Sequence, residues 1–358
     1  MILYSGDTIK TNGDDIAEIL YLLGVKPVWE KSSGKVVDLE IIPLNELKRP
    51  RIDVILRISG LFRDTFPNLI YLLEKAINLV AELNENDEQN YIKKNIKNEV
   101  LKLLELGYEK PEAKKLSKVR VFSCPPGTYG TGIRTLIESK QWENRDDLGK
   151  AYISWSSYGY NSNYHGKQMK TSFMEKLKYV SLTVKNEASN EIDMLESDDY
   201  YAYHGGLGAA IKYVSQKNIR SYSGNTSNPE EVKIRDIKEE GARIMRARIL
   251  NPKWIKGLKS HDYKGAVEMS AMLDTVFGWD ATSDIIENWM YDKIFEKYIK
   301  DNVTREWIEK NNKHALLNMS ERLLELEKRK MWETTEENLQ LLRKIYLEIE
   351  GEIEEYQE

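Results

Sequence analysis

The sequence predicts an α/β fold, in which a mainly parallel sheet layer with flanking helices is followed by a largely helical C-terminal region. Strand-like and helix-like segments alternate over residues 1–150, which is typical of units whose strands pair in parallel. Residues 151–229 are rich in aromatic residues and glycine, and we expect them to form an α/β segment that lines a cleft. Residues 230–358 show helical periodicity and are expected to form a helical domain.

Apolar periodicity and a terminal glycine define the first predicted helix of residues 1–150. Apolar residues recur at Ile16, Ile19, Leu20 and Leu23, a helical stripe, and Gly24 is suited to end the helix. The predicted strands are residues 2–4, 41–43, 52–56 and 118–123, and the predicted helices are residues 14–23, 66–83, 91–106 and 133–139.

The later elements are predicted in the same way. Residues 168–178 indicate a helix that leads to a strand at 180–184, whereas the polar residues 220–229 indicate an exposed connection. Apolar stripes near the C-terminus predict two final helices that form an antiparallel hairpin. Thr334 or Thr335 is expected to cap the last one.

Composition excludes several classes of protein. The net charge of -5 over 358 residues provides no broad basic surface for nucleic acid. A single cysteine, Cys124, rules out an intramolecular disulfide framework and fits a reducing, cytoplasmic location. No apolar run approaches the ~20 residues of a membrane span, so we expect none.

The loop at residues 125–132 follows a predicted strand and precedes a helix. Its glycines, Gly127, Gly130 and Gly132, have neither the spacing of a dinucleotide fingerprint nor the ending of a P-loop, which argues against a nicotinamide dehydrogenase. Spacing alone favours a tight structural turn. Binding of a ligand carboxylate or amide by its backbone amides is the functional alternative.

Residues 198–206 read DDYYAYHGG and concentrate carboxylate, phenol and imidazole groups. Asp199 and His204 have the chemistry to bind a divalent metal or to exchange protons near pH 7. The same candidate site includes Tyr203, Gly205 and Gly206. A structural turn with a buried histidine explains the pattern equally well.

Arg57 and the pair Arg63–Asp64 flank the end of a predicted strand. Ligands of α/β sheets bind outside the carboxyl ends of strands, and arginine grips carboxylates there in a forked geometry. The structural alternative is that Arg63 and Asp64 fasten the start of a helix.

Several long motifs, in order along nearly the whole chain, resemble the large subunit of the cobaltochelatases and its magnesium-chelatase relatives. The matching segments are residues 11–17, 22–29, 49–54, 57–67, 125–132, 200–206, 251–255, 263–266 and 277–282. The chain is similar to the C-terminal portion of that subunit. The upstream motifs associated with the macrocycle and metal are absent from it, and Asp262 stands where the family usually carries glycine.

The resemblance implies an ATP-dependent cobaltochelatase, a ligase that forms nitrogen–metal bonds in cobalamin biosynthesis. Cobalt is then a substrate, a tetrapyrrole of the corrinoid class is the other, and AAA+ ATPase-type partner subunits hydrolyse ATP with magnesium. The N-terminal part of the large subunit is a further expected partner, and the chain alone is expected to be inactive.

The resemblance also suggests roles for the candidate residues. Asp199 and His204 would accept protons or guide the metal. Arg57 and Arg63 would bind the acidic side chains of the tetrapyrrole ring. The remaining substrate-binding candidates are Asp64, Tyr129, Gly130, Gly132, Tyr203, Gly205 and Gly206. Two alternatives stay open: magnesium insertion into protoporphyrin, and a non-catalytic module that docks the ATPase subunits.

Overall fold

The computed structural model describes residues 1–355. The strands are β1 (Ile2–Leu3), β2 (Val25–Trp29), β3 (Val36–Ile41), β4 (Leu56–Ile58), β5 (Val121–Ser123), β6 (Tyr158–Tyr160), β7 (His165–Gln168), β8 (Leu182–Glu187), β9 (Arg220–Asn225) and β10 (Lys233–Asp236). The α-helices are α1 (Ser5–Lys10), α2 (Asp14–Leu23), α3 (Leu44–Leu47), α4 (Gly60–Thr65), α5 (Pro67–Ala81), α6 (Tyr91–Glu105), α7 (Lys110–Lys118), α8 (Ile133–Glu138), α9 (Arg145–Ser156), α10 (Lys170–Leu177), α11 (Asp198–Tyr200), α12 (Gly206–Ser215), α13 (Ile237–Ile244), α14 (Pro252–Lys259), α15 (Asp262–Ser283), α16 (Asn288–Ile294), α17 (Asn302–Asn311), α18 (Lys313–Lys328) and α19 (Glu336–Glu355). Three π-helical segments span Tyr201–Gly205, Met245–Ile249 and Phe295–Lys300.

The chain forms two compact units. The first comprises residues 1–189 and 206–234, and the second comprises residues 190–205 and 235–358. The division into three parts expected from the sequence stays a prediction, and the end of its last part, residues 356–358, lies outside the described residues. No helix within residues 1–355 is both long enough and apolar enough to cross a membrane.

The main sheet has eight strands in the order β10-β9-β8-β1-β4-β5-β6-β7. Strands β9, β8, β1, β4 and β5 run parallel to one another. Strand β6 is antiparallel to β5, and β7 is antiparallel to β6. The predicted α/β class with a mainly parallel sheet is therefore confirmed. Strands β2 and β3 form a separate antiparallel pair.

Local sequence explains the elements closest to the centre of the sheet. Strands β1 and β4 are fully buried, as expected for parallel strands covered by helices on both faces. Helix α2 has the predicted bounds, and Gly24 ends it at φ 76°, a left-handed conformation that glycine adopts without strain.

The prediction of an exposed connection at residues 220–229 is wrong, because most of this segment is strand β9. It pairs in parallel with β8 over six residues, and Ser221 and Ser223 are buried. Their hydroxyls are satisfied by the neighbouring strand, Ser221 by Thr183 at 2.8 Å and Ser223 by Glu187 at 3.1 Å. Paired hydroxyl groups thus allow a polar sequence to occupy an interior position.

The second unit is helical, as predicted. Helices α18 and α19 form an antiparallel hairpin, since Lys313 at the start of α18 pairs with Glu352 near the end of α19. The Thr335 hydroxyl accepts a hydrogen bond from the Asn338 amide at 3.3 Å, which caps the start of α19 as the sequence indicated.

Candidate functional site

The candidate site of the first unit lies at the carboxyl ends of the parallel strands. Helix α4, which carries Arg63 and Asp64, follows β4, and the glycine-containing loop of residues 124–132 follows the adjacent parallel strand β5. Consecutive parallel strands end at the same edge of a sheet, where α/β proteins bind ligands. The fold thereby brings together segments that are about sixty residues apart in sequence.

Arg63 holds this loop in place. Its side chain is buried, and Nη1 donates to the carbonyl oxygens of Pro125 at 2.9 Å and of Cys124 and Thr128 at 3.3 Å. Nε and Nη2 form a bidentate pair with Asp64 at 2.6 and 2.8 Å. These contacts give Arg63 a structural role in holding the loop. Binding of a ligand carboxylate by Arg63 stays a prediction.

Asp64 links this buried arginine to an exposed aromatic ring. The Tyr129 hydroxyl donates to Asp64 Oδ2 at 3.0 Å, and the Tyr129 side chain is 61% exposed. The hydrogen bond from Arg63 lowers the pKa of Asp64, and the hydrogen bond to that carboxylate raises the pKa of Tyr129. The result is an ionised carboxylate that orients a neutral phenol toward solvent.

Arg57 lies beneath the same loop and is buried in the sheet. It donates to the carbonyl oxygen of Gly130 at 3.1 Å and to that of Ile58, and it approaches Ser123 Oγ at 3.4 Å. These contacts tie β4, β5 and the loop together. Binding of ring carboxylates by Arg57 stays a prediction.

Two glycines are required by close approach. A Cβ on Gly60 would lie 2.7 Å from the Tyr129 ring, and a Cβ on Gly132 would lie 2.4 Å from the Trp155 ring. Gly132 and Gly130 also have φ values of 76° and 93°. The loop therefore needs glycine for its conformation, which was the structural interpretation of the spacing.

A second polar group at the carboxyl end of β8 was not singled out from the sequence. Lys185 Nζ pairs with Asp7 Oδ2 at 2.6 Å, and Asn186 Nδ2 donates to Asp15 Oδ1 at 2.8 Å. All but Asp7 are buried. The available signal was the change from apolar to charged residues at the end of the predicted strand 180–184.

Asp15 within this group should make stability depend on pH. Burial raises the pKa of its carboxyl from 3.8 to about 6, so the native state retains the proton over a range in which the unfolded chain loses it. This contribution is present below pH 4 and is lost as the pH rises through 6. Asp15→Asn should therefore gain stability relative to the wild type by about 3 kcal/mol between pH 4 and pH 7 in urea unfolding.

The matched control for this measurement is Asp14→Asn, which removes an exposed carboxylate from the same helical turn. A pH dependence as large for Asp14→Asn as for Asp15→Asn would assign the effect to the start of the helix and not to the burial of Asp15. A pH-independent difference for Asp15→Asn would contradict the assignment.

The remaining candidates lie in the second unit, apart from Gly206, which belongs to the first. Tyr203, His204 and Gly205 are buried in the π-helical segment Tyr201–Gly205, and Asp199 is exposed in α11 just before it. π-Helical turns are frequent at functional sites because they displace side chains from the regular helical positions.

Helix α15 supports this π-helical segment. The His204 ring packs edge-on against Trp279, with ring centroids 6.0 Å apart, and Trp279 Nε1 donates to the Met194 carbonyl at 2.6 Å. A Cβ on Gly205 would lie 2.2 Å from Thr282 Oγ1, so the two helical segments are in direct contact. Within residues 1–355 no group of three or more acidic, histidine or cysteine side chains is arranged to hold a metal.

The relatives of this chain identify its class. It is 40% identical over 345 residues to the aerobic cobaltochelatase subunit CobN of Pseudomonas aeruginosa, covering 96% of this chain and 28% of that protein. It is 32% identical over 357 residues to the magnesium-chelatase subunit ChlH of Oryza sativa subsp. japonica, covering 99% and 25%. These matches show a chelatase large-subunit domain.

A solved structure and a family model support the same class of protein. The catalytic subunit of cobaltochelatase from Mycobacterium tuberculosis matches with a TM-score of 0.93 and 37% identity, over 98% of this chain and 29% of that one. The family model described as CobN/Magnesium Chelatase matches residues 1–339. The chain belongs to the CobN/magnesium chelatase family, which confirms the resemblance read from its motifs. It spans less than a third of the length of these relatives.

Proposed function

We propose that this chain is the C-terminal part of the large subunit of an ATP-dependent cobaltochelatase, which binds a metal-free corrinoid and helps to insert cobalt in cobalamin biosynthesis. The similarity to an aerobic cobaltochelatase subunit supports cobalt over magnesium, since that relative is 40% identical and the magnesium-chelatase relative is 32% identical. Partner AAA+ ATPase-type subunits hydrolyse ATP, and the assembly works in the cytoplasm with the N-terminal part of the large subunit.

Insertion of a divalent metal into a tetrapyrrole displaces the protons bound to its inner nitrogens, and nearby bases accelerate the reaction by accepting them. Asp199 and His204 are the proposed acceptors, or the groups that guide the metal. The Tyr203 ring is proposed to pack against the macrocycle, with Gly205 and Gly206 allowing close approach. Unchanged insertion by His204→Ala in the assembled enzyme would overturn the assignment of His204.

The observation that carries the proposal is the exposed ring of Tyr129, which Asp64 fixes at the carboxyl edge of the sheet. A flat conjugated macrocycle offers a large face for stacking on such a ring. The backbone amides of Gly130 and Gly132 lie in the same loop and are proposed to bind a peripheral oxygen of the macrocycle. Arg57 and Arg63 are proposed to hold its acidic side chains, directly or through the loop that they position.

The test uses the full-length large subunit that contains this chain, assembled with its ATPase subunits. A hydrogenobyrinate-type corrinoid and protoporphyrin are titrated separately and followed by absorption, first without metal and then with cobalt or magnesium and ATP. Binding of the corrinoid with cobalt insertion supports the proposal. Preference for protoporphyrin and magnesium would favour the magnesium-chelatase alternative, and binding of ATPase subunits without either macrocycle would favour a docking module.

Tyr129→Ala should weaken corrinoid binding about tenfold, because loss of one stacked ring removes roughly 1 kcal/mol or more of contact energy. The dissociation constant from the same titration is the measurement. Tyr71→Ala is the control, since Tyr71 is a similarly exposed tyrosine on α5. Equal affinities for the two variants would remove Tyr129 from the site.

A further inference from the structure

A cavity of about 430 Å³ lies at the opposite edge of the main sheet from the candidate site. Its walls come from the residues that precede β4, β5 and β8, including Asp53, Arg120 and Val180, so it opens at the amino ends of the parallel strands. This volume lies within the range of small-molecule pockets, roughly 300–1,000 Å³.

The interior of the cavity is mostly apolar. Phe173 and Leu177 of α10 and Leu207 and Ile211 of α12 line it and are buried. Its rim carries large apolar side chains that are between 39% and 49% exposed, namely Ile52, Tyr91, Tyr179 and Leu182. Exposed apolar residues that surround one concavity are typical of a binding site, whereas isolated ones are not.

Four charged residues on one side of the cavity compensate one another. Arg120 forms a bidentate pair with Asp53 at 2.7 and 3.1 Å, and Lys176 pairs with Glu99. Arg120 Nη1 lies 3.7 Å from Glu99 Oε2, which joins the two pairs. Glu18 and Arg57 also line the cavity, so its wall carries three carboxylates, those of Glu18, Asp53 and Glu99, against the three cationic side chains of Arg57, Arg120 and Lys176. Equal numbers of opposite charges disfavour the uptake of a further ion.

The polar end of the cavity still offers hydrogen bonds. Tyr91, Asn95 and Glu99 project from one face of α6 at four-residue spacing and all line the cavity. Burial lowers the pKa of Lys176 to about 8, so at pH 7 most of its ammonium stays protonated and paired with Glu99. This combination of an apolar interior and a few convergent polar groups orients a bound molecule.

We propose that this cavity binds an uncharged, mainly apolar small molecule at a site separate from the carboxyl-edge site. The size of the cavity, its apolar interior and its compensated charges select against ions and against large polar ligands. The inference does not depend on the proposed chelatase function, because the cavity opens at the other edge of the sheet, and Arg57 is the one carboxyl-edge candidate that also lines it.

The experiment titrates the uncharged dye Nile red into the 358-residue chain and follows its fluorescence. Val180→Trp, which places a bulky side chain at a partly exposed position of the cavity wall, should weaken binding at least about tenfold. Val37→Trp is the matched control, since Val37 is an exposed position on β3 outside the cavity, and it should bind as the wild type does. An anionic apolar dye should bind the wild type at least about tenfold more weakly than Nile red.

The proposal would be overturned by the absence of saturable Nile red binding, by equal binding by Val180→Trp and the wild type, or by tighter binding of the anionic dye. Sizing of the chain at each concentration completes the test. If a second copy occupied the cavity, dye affinity would fall as the chain dimerised, and this outcome also counts against a small-molecule site.

Discussion

Replacing Arg120 with methionine should lower the free energy of unfolding of the first unit by about 3–5 kcal/mol. Arg120 is buried, and its guanidinium binds both oxygens of Asp53 and the carbonyl oxygens of Ser117 and Val119. Without it, the carboxylates of Asp53 and Glu99 remain buried with Lys176 as the nearby cation. Removing one partner from such a network costs far more than the net worth of the network itself.

Urea unfolding at pH 7 measures this effect, and Arg134→Met provides the control. Arg134 pairs with Glu138 on α8 with both side chains more than half exposed, so its loss should cost less than about 1 kcal/mol. Similar losses for the two variants would show that the buried network contributes no more than a surface pair.

A second large effect is expected at Gly265, where α14 and α15 meet. A Cβ at this position would lie 1.9 Å from the carbonyl oxygen of Leu258, a backbone atom that cannot move without displacing the helix. Gly265→Ala should therefore destabilise the second unit by about 2–3 kcal/mol, because overpacking outweighs the gain of roughly 1 kcal/mol in helix propensity.

Gly257 on α14 supplies the matched control for this substitution. An added Cβ there meets no atom within 4 Å, so Gly257→Ala should raise stability by up to about 1 kcal/mol. The difference in sign between the two alanine variants, measured by thermal or urea unfolding, separates steric contact from propensity. Stabilisation by both would contradict the observed helix contact.

Local sequence patterns predicted those structural features that a few consecutive residues determine. The apolar stripe of α2, its glycine cap and the hydroxyl cap of α19 are properties of a few consecutive residues, and the structure has all three. Strand β9 could not be predicted in this way. Its polar side chains become favourable only when Thr183 and Glu187 of β8 lie beside them, and pattern alone does not reveal that pairing.

In the candidate site, too, the sequence did not reveal contacts between residues that are distant along the chain. The position of Arg63 and Asp64 after a strand indicated that they lie at the carboxyl edge of the sheet, and the structure has them there because strand polarity fixes where the following residues lie. The sequence did not show that Arg63 is directed inward to three loop carbonyls, since these are more than sixty residues away. The π-helical segment around His204 also has no periodic signature that distinguishes it from a turn.

The hydrogen bonds that Arg63 makes to the loop after β5 have an entropic consequence. Backbone carbonyls, the Asp64 carboxylate and the Tyr129 hydroxyl form one continuous network, which restricts the rotamers of the exposed ring before any ligand arrives. A preorganised ring loses little conformational freedom on association, so a larger part of the contact energy appears as affinity.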